Sequence, residues 1–224
     1  LRALDWYQVN STISLRRPVV VGVGGLTSEV GKTTLMCKLL HAFPGWEAIK
    51  TTRGHYRSCG KDPHMCCVSD LLDDAAVVQT GRELTYAPGK DTGRYWDAGA
   101  TNVHWVVATD EQVEAGINQA IGRVQAPGVF IEGNSFAKFL QPDYFVMVAR
   151  VDELKIKRTA RELLKSVSAF YVSDMDGVGK KESLGAYLRQ QEREMDLREA
   201  PVLTENDLPH LIASIGDCFS SLAA

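Results

Sequence analysis

Apolar residues along this chain come in short runs separated by polar, glycine-bearing stretches, the pattern of strands alternating with helices. Residues 19–23 are continuously apolar, as a strand buried on both faces reads. A helix-like stretch, LMCKLLHAF, follows at 35–43, and WEAIK at 46–50 reads as a short second strand. Further strands are expected at 103–108, 129–131, 144–149, 169–172 and 201–203. Helices are expected at 110–124, with Asp110 as N-cap, and at 153–165, 180–196 and 206–222. Residues 88–100 read as a polar loop leading into a short helix, and about 51–70 as a polar, cysteine-rich insertion. The alternation predicts an α/β fold, a mostly parallel sheet of about seven strands with helices on both faces, in one domain over 1–224. Ligands of such folds sit at the carboxyl ends of the strands.

One such end is rich in chemistry. PVVVGVGGLTSEVGKTT at 18–34 runs from strand through a glycine-bearing loop into a helix start. This order suits a nucleoside triphosphate: loop and helix-start amides face the phosphates, a lysine adds positive charge and a threonine hydroxyl reaches Mg²⁺. Lys32 is the expected phosphate lysine and Thr33 the Mg²⁺ ligand, while Glu29, Val30, Gly31 and Thr34 offer further donors. The standard P-loop has glycine five positions before Gly31, where this chain has Leu26, with Gly24 and Gly25 just upstream.

Composition narrows the classes. A hydrophobic fraction of 45% and a charged fraction of 24% are those of an ordinary globular protein. A net charge of -3 argues against general nucleic-acid binding, and no apolar run is long enough for a membrane helix. Five unevenly spread cysteines do not form a secreted disulfide framework, so a cytoplasmic location with reduced thiols is expected.

Three blocks in order, the P-loop, PGKDTGRYWDAGA at 88–100 and VFIEG at 129–133, give the chain a family likeness. It resembles the adaptor proteins of molybdopterin-guanine dinucleotide biosynthesis, the MobB-like P-loop GTP-binding proteins. That resemblance implies a P-loop α/β sandwich, usually dimeric, that binds GTP with Mg²⁺ and assists a cofactor-biosynthesis enzyme. The chain departs from the family pattern in its cluster at 59–67, in Asn134-Ser135-Phe136 and in a long C-terminal part.

The remaining candidates follow from chemistry at strand ends. Glu132 ends an apolar strand and is a candidate Mg²⁺ carboxylate; Asp91 is a second one or positions water. Lys90 and Arg94 are candidates for phosphate contact or solvated loop charges. Ala149-Arg150-Val151-Asp152 has the spacing of the guanine-reading motif Asn/Thr-Lys-x-Asp. Asp152 is a candidate acceptor for the guanine N1–H and N2–H, with Arg150 stacking on the base and Ser173 on the opposite wall; Asp152 could equally cap a helix. Cys59, His64, Cys66 and Cys67 are candidate Zn²⁺ ligands, without zinc-finger spacing. His41, His104 and Cys37 read as framework residues. The readings left are a GTP-binding adaptor with slow hydrolysis, an ATP- or GTP-dependent small-molecule kinase or ligase, and a metallochaperone.

Overall fold

A computed structural model describes residues 17–54, 71–173, 179–192 and 200–223. Within them the strands are β1 (Val19–Gly25), β2 (Glu47–Arg53), β3 (Val77–Thr80), β4 (Val103–Ala108), β5 (Gly128–Glu132), β6 (Tyr144–Ala149), β7 (Ala169–Val172) and β8 (Val202–Leu203). The helices are α1 (Lys32–Ala42), α2 (Arg82–Thr85), α3 (Asp91–Asp97), α4 (Val113–Ile121), α5 (Arg158–Arg161), α6 (Lys180–Glu192) and α7 (Leu208–Ala223). The strands form one sheet in the order β3-β4-β2-β5-β1-β6-β7-β8. Only β3 runs antiparallel to its neighbour among the described strands. β1 lies between β5 and β6, with connections departing to both sides of it, so its carboxyl end is the switch point where α/β folds bind ligands.

The sheet separates two apolar cores. Val19, Val21 and Val23 pack with α1 and α7 on one face; Val20 packs on the other with α4 and the β6–β7 crossover. The second face of β1 reads Val20, Gly22, Gly24, and the two glycines make room for an edge-to-face ring pair. A Cβ on Gly22 would lie 2.5 Å from Phe136 and 2.6 Å from Phe145. The two rings pack with centroids 6.0 Å apart at 86°.

Several sequence expectations are corrected. The mostly parallel sheet is as expected, but its short edge strand β3, which pairs with β4 and brings the strands to eight, is not among those expected. The strand expected to stop at Lys50 continues to Arg53. Asp110 does not cap a helix: α4 starts at Val113, Gln112 accepts the Thr109 amide at 3.0 Å, and Asp110 accepts from Arg53 at 2.8 Å. Nor do residues 153–165 form one helix. The Lys157 amide donates to the Leu26 carbonyl at 2.9 Å, which ties the crossover to the loop after β1. Only 3₁₀ turns at Val151–Glu153 and Leu164–Ser166 and the short α5 fit around that tie. His104 is a framework residue as expected: fully buried, it pairs with Glu47 at 2.6 Å and meets Thr80 at 3.0 Å.

Candidate functional site

The segment between β1 and α1 is held open by its backbone. Glu29 (φ 56°) and Gly31 (φ 85°) are left-handed, the geometry that gathers successive amides into an anion-binding concavity. Gly31 is the N-cap of α1 and offers no side-chain cap, and the first turn holds no acidic residue. The amides of Glu29, Val30 and Gly31 have no acceptor among the described residues. Ser173 fixes the outer wall of this turn: its Oγ donates to the Val30 carbonyl at 2.7 Å. A Cβ on Gly31 would lie 3.0 Å from Ser173, so the position excludes side chains by contact as well as by backbone angle. On the inner wall, the Asn134 side-chain amide bonds both the N–H and the carbonyl of Gly25 at 2.9 and 3.0 Å. Gly25 in turn lets the Lys32 stem pass close by, its Cδ lying 3.1 Å from where a Cβ would stand. Burial pulls the Lys32 ammonium below its usual pKa, and nearby Lys50 adds to that, against the attraction of Glu132 and Asp91.

Beside this turn, three oxygen-bearing residues from three sequence blocks converge. The Thr33 hydroxyl stands 2.9 Å from Glu132 and 3.1 Å from Asp91. Glu132 ends β5, which pairs with β1, and Asp91 starts α3, so the sheet and one helix bring the carboxylates to the start of α1. The Lys50 ammonium lies between the carboxylates, 2.6 Å from each. Lys50 is the register partner of Glu132 across β2 and β5, so the sheet sets this pairing. Burial opposes the charge on Lys50, but the two carboxylates outweigh it and raise its pKa. Asp91 shows the converse: burial alone would raise its pKa, but the bond from Lys50 and its charge leave the carboxyl below the usual range. Fully buried Tyr95, one turn after Asp91 on α3, donates its phenol to Glu132; burial and that carboxylate hold its pKa well above the ordinary value. Hard oxygen donors around a demanded positive charge fit Mg²⁺, which would be held by Thr33 with Asp91 and Glu132.

On the other side of the turn lies a cleft of about 740 Å³, lined in part by Gly31, Thr34, Arg150, Asp152, Tyr171 and Ser173. Glu29 lines it too, so the cleft begins at the phosphate-type turn and runs to the ends of β6 and β7. Arg150 and Asp152 both face it but are joined to each other: Arg150 donates from Nε at 3.0 Å and also from Nη2. That guanidinium holds the exposed Asp152 carboxyl below its usual pKa. At the cleft's far side Lys38 and Tyr171 both donate to Glu205.

The structure thus brings together Glu29, Val30, Gly31, Lys32, Thr33, Thr34, Asp91 and Glu132, with Arg150, Asp152 and Ser173 around the adjoining cleft. Arg94 reaches the site through Thr34, donating to its hydroxyl at 3.3 Å. Lys90 is exposed and contributes the N-cap carbonyl of α3 rather than an ion pair. Cys59, His64, Cys66 and Cys67 fall outside the described residues. Among those described, no group of three or more His, Cys, Asp or Glu could hold a metal ion. Sequence reasoning missed Lys50 and Tyr95, and it read Asn134, with Ser135, as a candidate to hold an acceptor in the kinase reading, whereas its side chain braces Gly25. Lys50 had a signal, a lone lysine at the end of an apolar strand, and Tyr95 had another, its spacing of four from Asp91.

No protein-family model and no curated protein matches the chain. Among solved structures it is similar to HypB from Helicobacter pylori in complex with nickel, at 11% identity over 91% of this chain and 88% of that one, with a TM-score of 0.50. It is also similar to the signal recognition particle 54 kDa protein from Aeropyrum pernix K1 in complex with GDP, at 18% identity and a TM-score of 0.44. That match covers 92% of this chain and 48% of the other, about half its length. The fold is that of the α/β P-loop NTPases. No helix among the described residues is long and apolar enough to cross a membrane.

Proposed function

We propose that this protein binds a nucleoside triphosphate with Mg²⁺, prefers GTP to ATP, hydrolyses it slowly, and serves as an adaptor in molybdenum-cofactor maturation. The observation that carries the nucleotide reading is the turn at 29–31. Its amides have no acceptor among the described residues, it leads into an uncapped helix start, and Lys32 lies against it. An anion supplies what those donors lack. The MobB-like reading is supported by the meeting of its three sequence blocks at one point, Thr33, Asp91 and Glu132.

Each group then has a role. The amides of 29–31 cradle the β-phosphate, and Lys32 bridges β- and γ-oxygens, where its charge also meets the negative charge that develops on bond cleavage. When bound, Mg²⁺ neutralises phosphate charge. Glu132 is oriented by the bonds it accepts from Tyr95, Thr33 and Lys50. No glutamine stands among these groups to orient the attacking water, which agrees with slow turnover.

For the base, the Asp152 carboxylate can accept both guanine N–H groups once Arg150 swings from it onto the ring face; adenine offers no such pair. The test is a titration of GTP and ATP, each with Mg²⁺, on wild type, Lys32→Ala and Asp152→Ala. The reading expects Lys32→Ala to weaken both nucleotides and Asp152→Ala to remove the GTP preference. Unchanged triphosphate affinity in Lys32→Ala overturns the nucleotide reading, and equal wild-type affinity for both nucleotides overturns the base reading.

A further inference from the structure

On the flank of the turn away from the base cleft lie several donors that have few acceptors among the described residues. The Lys157 amide is bonded to Leu26, so Lys157 is rooted one residue from Gly25, over which the Lys32 stem passes. Lys157 is half-buried and, like Lys32, has no carboxylate partner among the described residues. Among the described residues the charges that act on its ammonium are positive, Lys32 and Arg53; burial, the largest cause, and these charges pull its pKa down to about 8. Arg53, at the carboxyl end of β2, gives one nitrogen to the exposed carboxylate of Asp110, and its other nitrogens have no partner among the described residues. Two positions earlier, and so on the same face of that strand, the buried Thr51 hydroxyl has no hydrogen-bond partner among the described residues. Asp110 offsets Arg53, and Glu132 and Asp91 act on Lys32, but a half-buried Lys157 with no carboxylate bonded to it among the described residues is destabilising unless a ligand compensates it.

We infer that Lys157, Arg53 and Lys32 form an oxyanion subsite, for a phosphate or carboxylate group, on the flank of the turn opposite the base cleft. This deepens the nucleotide reading and rests on it, because Lys32 is shared between the two. The oxyanion has two sources, the γ-phosphate of the bound nucleotide or an acidic group on a second, acceptor molecule. The second source is what a phosphotransfer reaction needs.

The experiment is a calorimetric titration of orthophosphate into the protein loaded with GDP and Mg²⁺, using wild type, Lys157→Met and Lys157→Arg. NMR of the lysine side-chain carbons follows Lys157 in parallel. Removing an uncompensated half-buried charge spares the fold, and Lys157→Arg keeps the charge if methionine does not serve. Phosphate is expected to bind wild type and to move the Lys157 titration midpoint up from about 8. Lys157→Met is expected to weaken phosphate by about fivefold or more and leave GDP affinity within about twofold, with Lys157→Arg close to wild type. Phosphate affinity that does not depend on Lys157, or a midpoint that does not move, overturns the subsite.

Repeating the titration with a non-hydrolysable GTP analogue separates the sources. Loss of phosphate binding assigns the subsite to the γ-phosphate, and retained, Lys157-dependent binding assigns it to a second molecule. If GDP does not bind wild type at all, the nucleotide reading fails. The same phosphate titration on nucleotide-free protein then decides the subsite by itself.

Discussion

Replacing Lys50 by methionine tests the carboxylate cluster directly. The ammonium, with its side chain 17% exposed, is shared between Glu132 at 4% exposure and Asp91 at 40%. Removing one partner of a fully buried pair costs about 3–5 kcal/mol, most of it from the charge left behind. The Asp91 contribution is small, because a carboxylate that exposed is screened by water and such pairs are worth about 1 kcal/mol or less. Glu132 keeps its bonds from Thr33 and Tyr95, which offset part of its loss. The expected destabilisation of Lys50→Met in Mg²⁺-free buffer is therefore about 2–3 kcal/mol, within the margin of an ordinary domain.

Methionine keeps the stem length, so packing changes little and the effect is electrostatic. A divalent ion replaces the missing charge, so millimolar Mg²⁺ is expected to restore most of the loss. Because the ammonium no longer competes for the carboxylates, Mn²⁺ affinity of the nucleotide-free variant, read by electron paramagnetic resonance, is expected to rise about tenfold, equivalent to about 1.4 kcal/mol. Urea denaturation with and without Mg²⁺ supplies the stability readout. Equal stability of variant and wild type without Mg²⁺, or a loss that Mg²⁺ does not reduce, refutes the view that Lys50 stands in the cation position.

Two further outcomes are expected. Gly93→Ala puts a Cβ 2.0 Å from the Ala87 carbonyl oxygen, a backbone atom that cannot turn aside, so α3 must shift. The expected cost is about 2–3 kcal/mol in urea denaturation, with weakened Mg²⁺ binding because Asp91 and Tyr95 ride on that helix; wild-type values for both contradict the packing argument. At the opposite end of the sheet, burial alone would raise the Glu47 pKa, but bonds from His104 and from the Gln125 and Ala126 amides leave it below 4.5. A carboxyl lowered on folding stabilises the protein fully above its unfolded value, and that stability is lost as pH falls through the folded value. Acid titration of stability is therefore expected to be steeper below about pH 4.5 in wild type than in Glu47→Gln, and identical acid limbs count against the network.

What could be read from the chain alone is what is local. The strand, turn and helix around Lys32, the carboxylate at the end of β5 and the block that starts α3 each lie within a few consecutive residues, where spacing and strand or helix propensity are visible directly. Alternation of these units implied a parallel sheet, and therefore which strand ends carry the site. The closing helix announced itself through apolar residues at helical spacing. The adjacency of strands distant in sequence was not visible. Lys50 meets Glu132 because β2 and β5 are neighbours in register, although 82 residues separate them. Lys157 reaches the turn because its amide pairs with Leu26, and that long-range bond breaks the helix its local sequence favours. Local propensity and turn chemistry act over a few residues and are written in order along the chain. Ion pairs and tertiary hydrogen bonds depend on which backbones are brought side by side, and folding alone decides that.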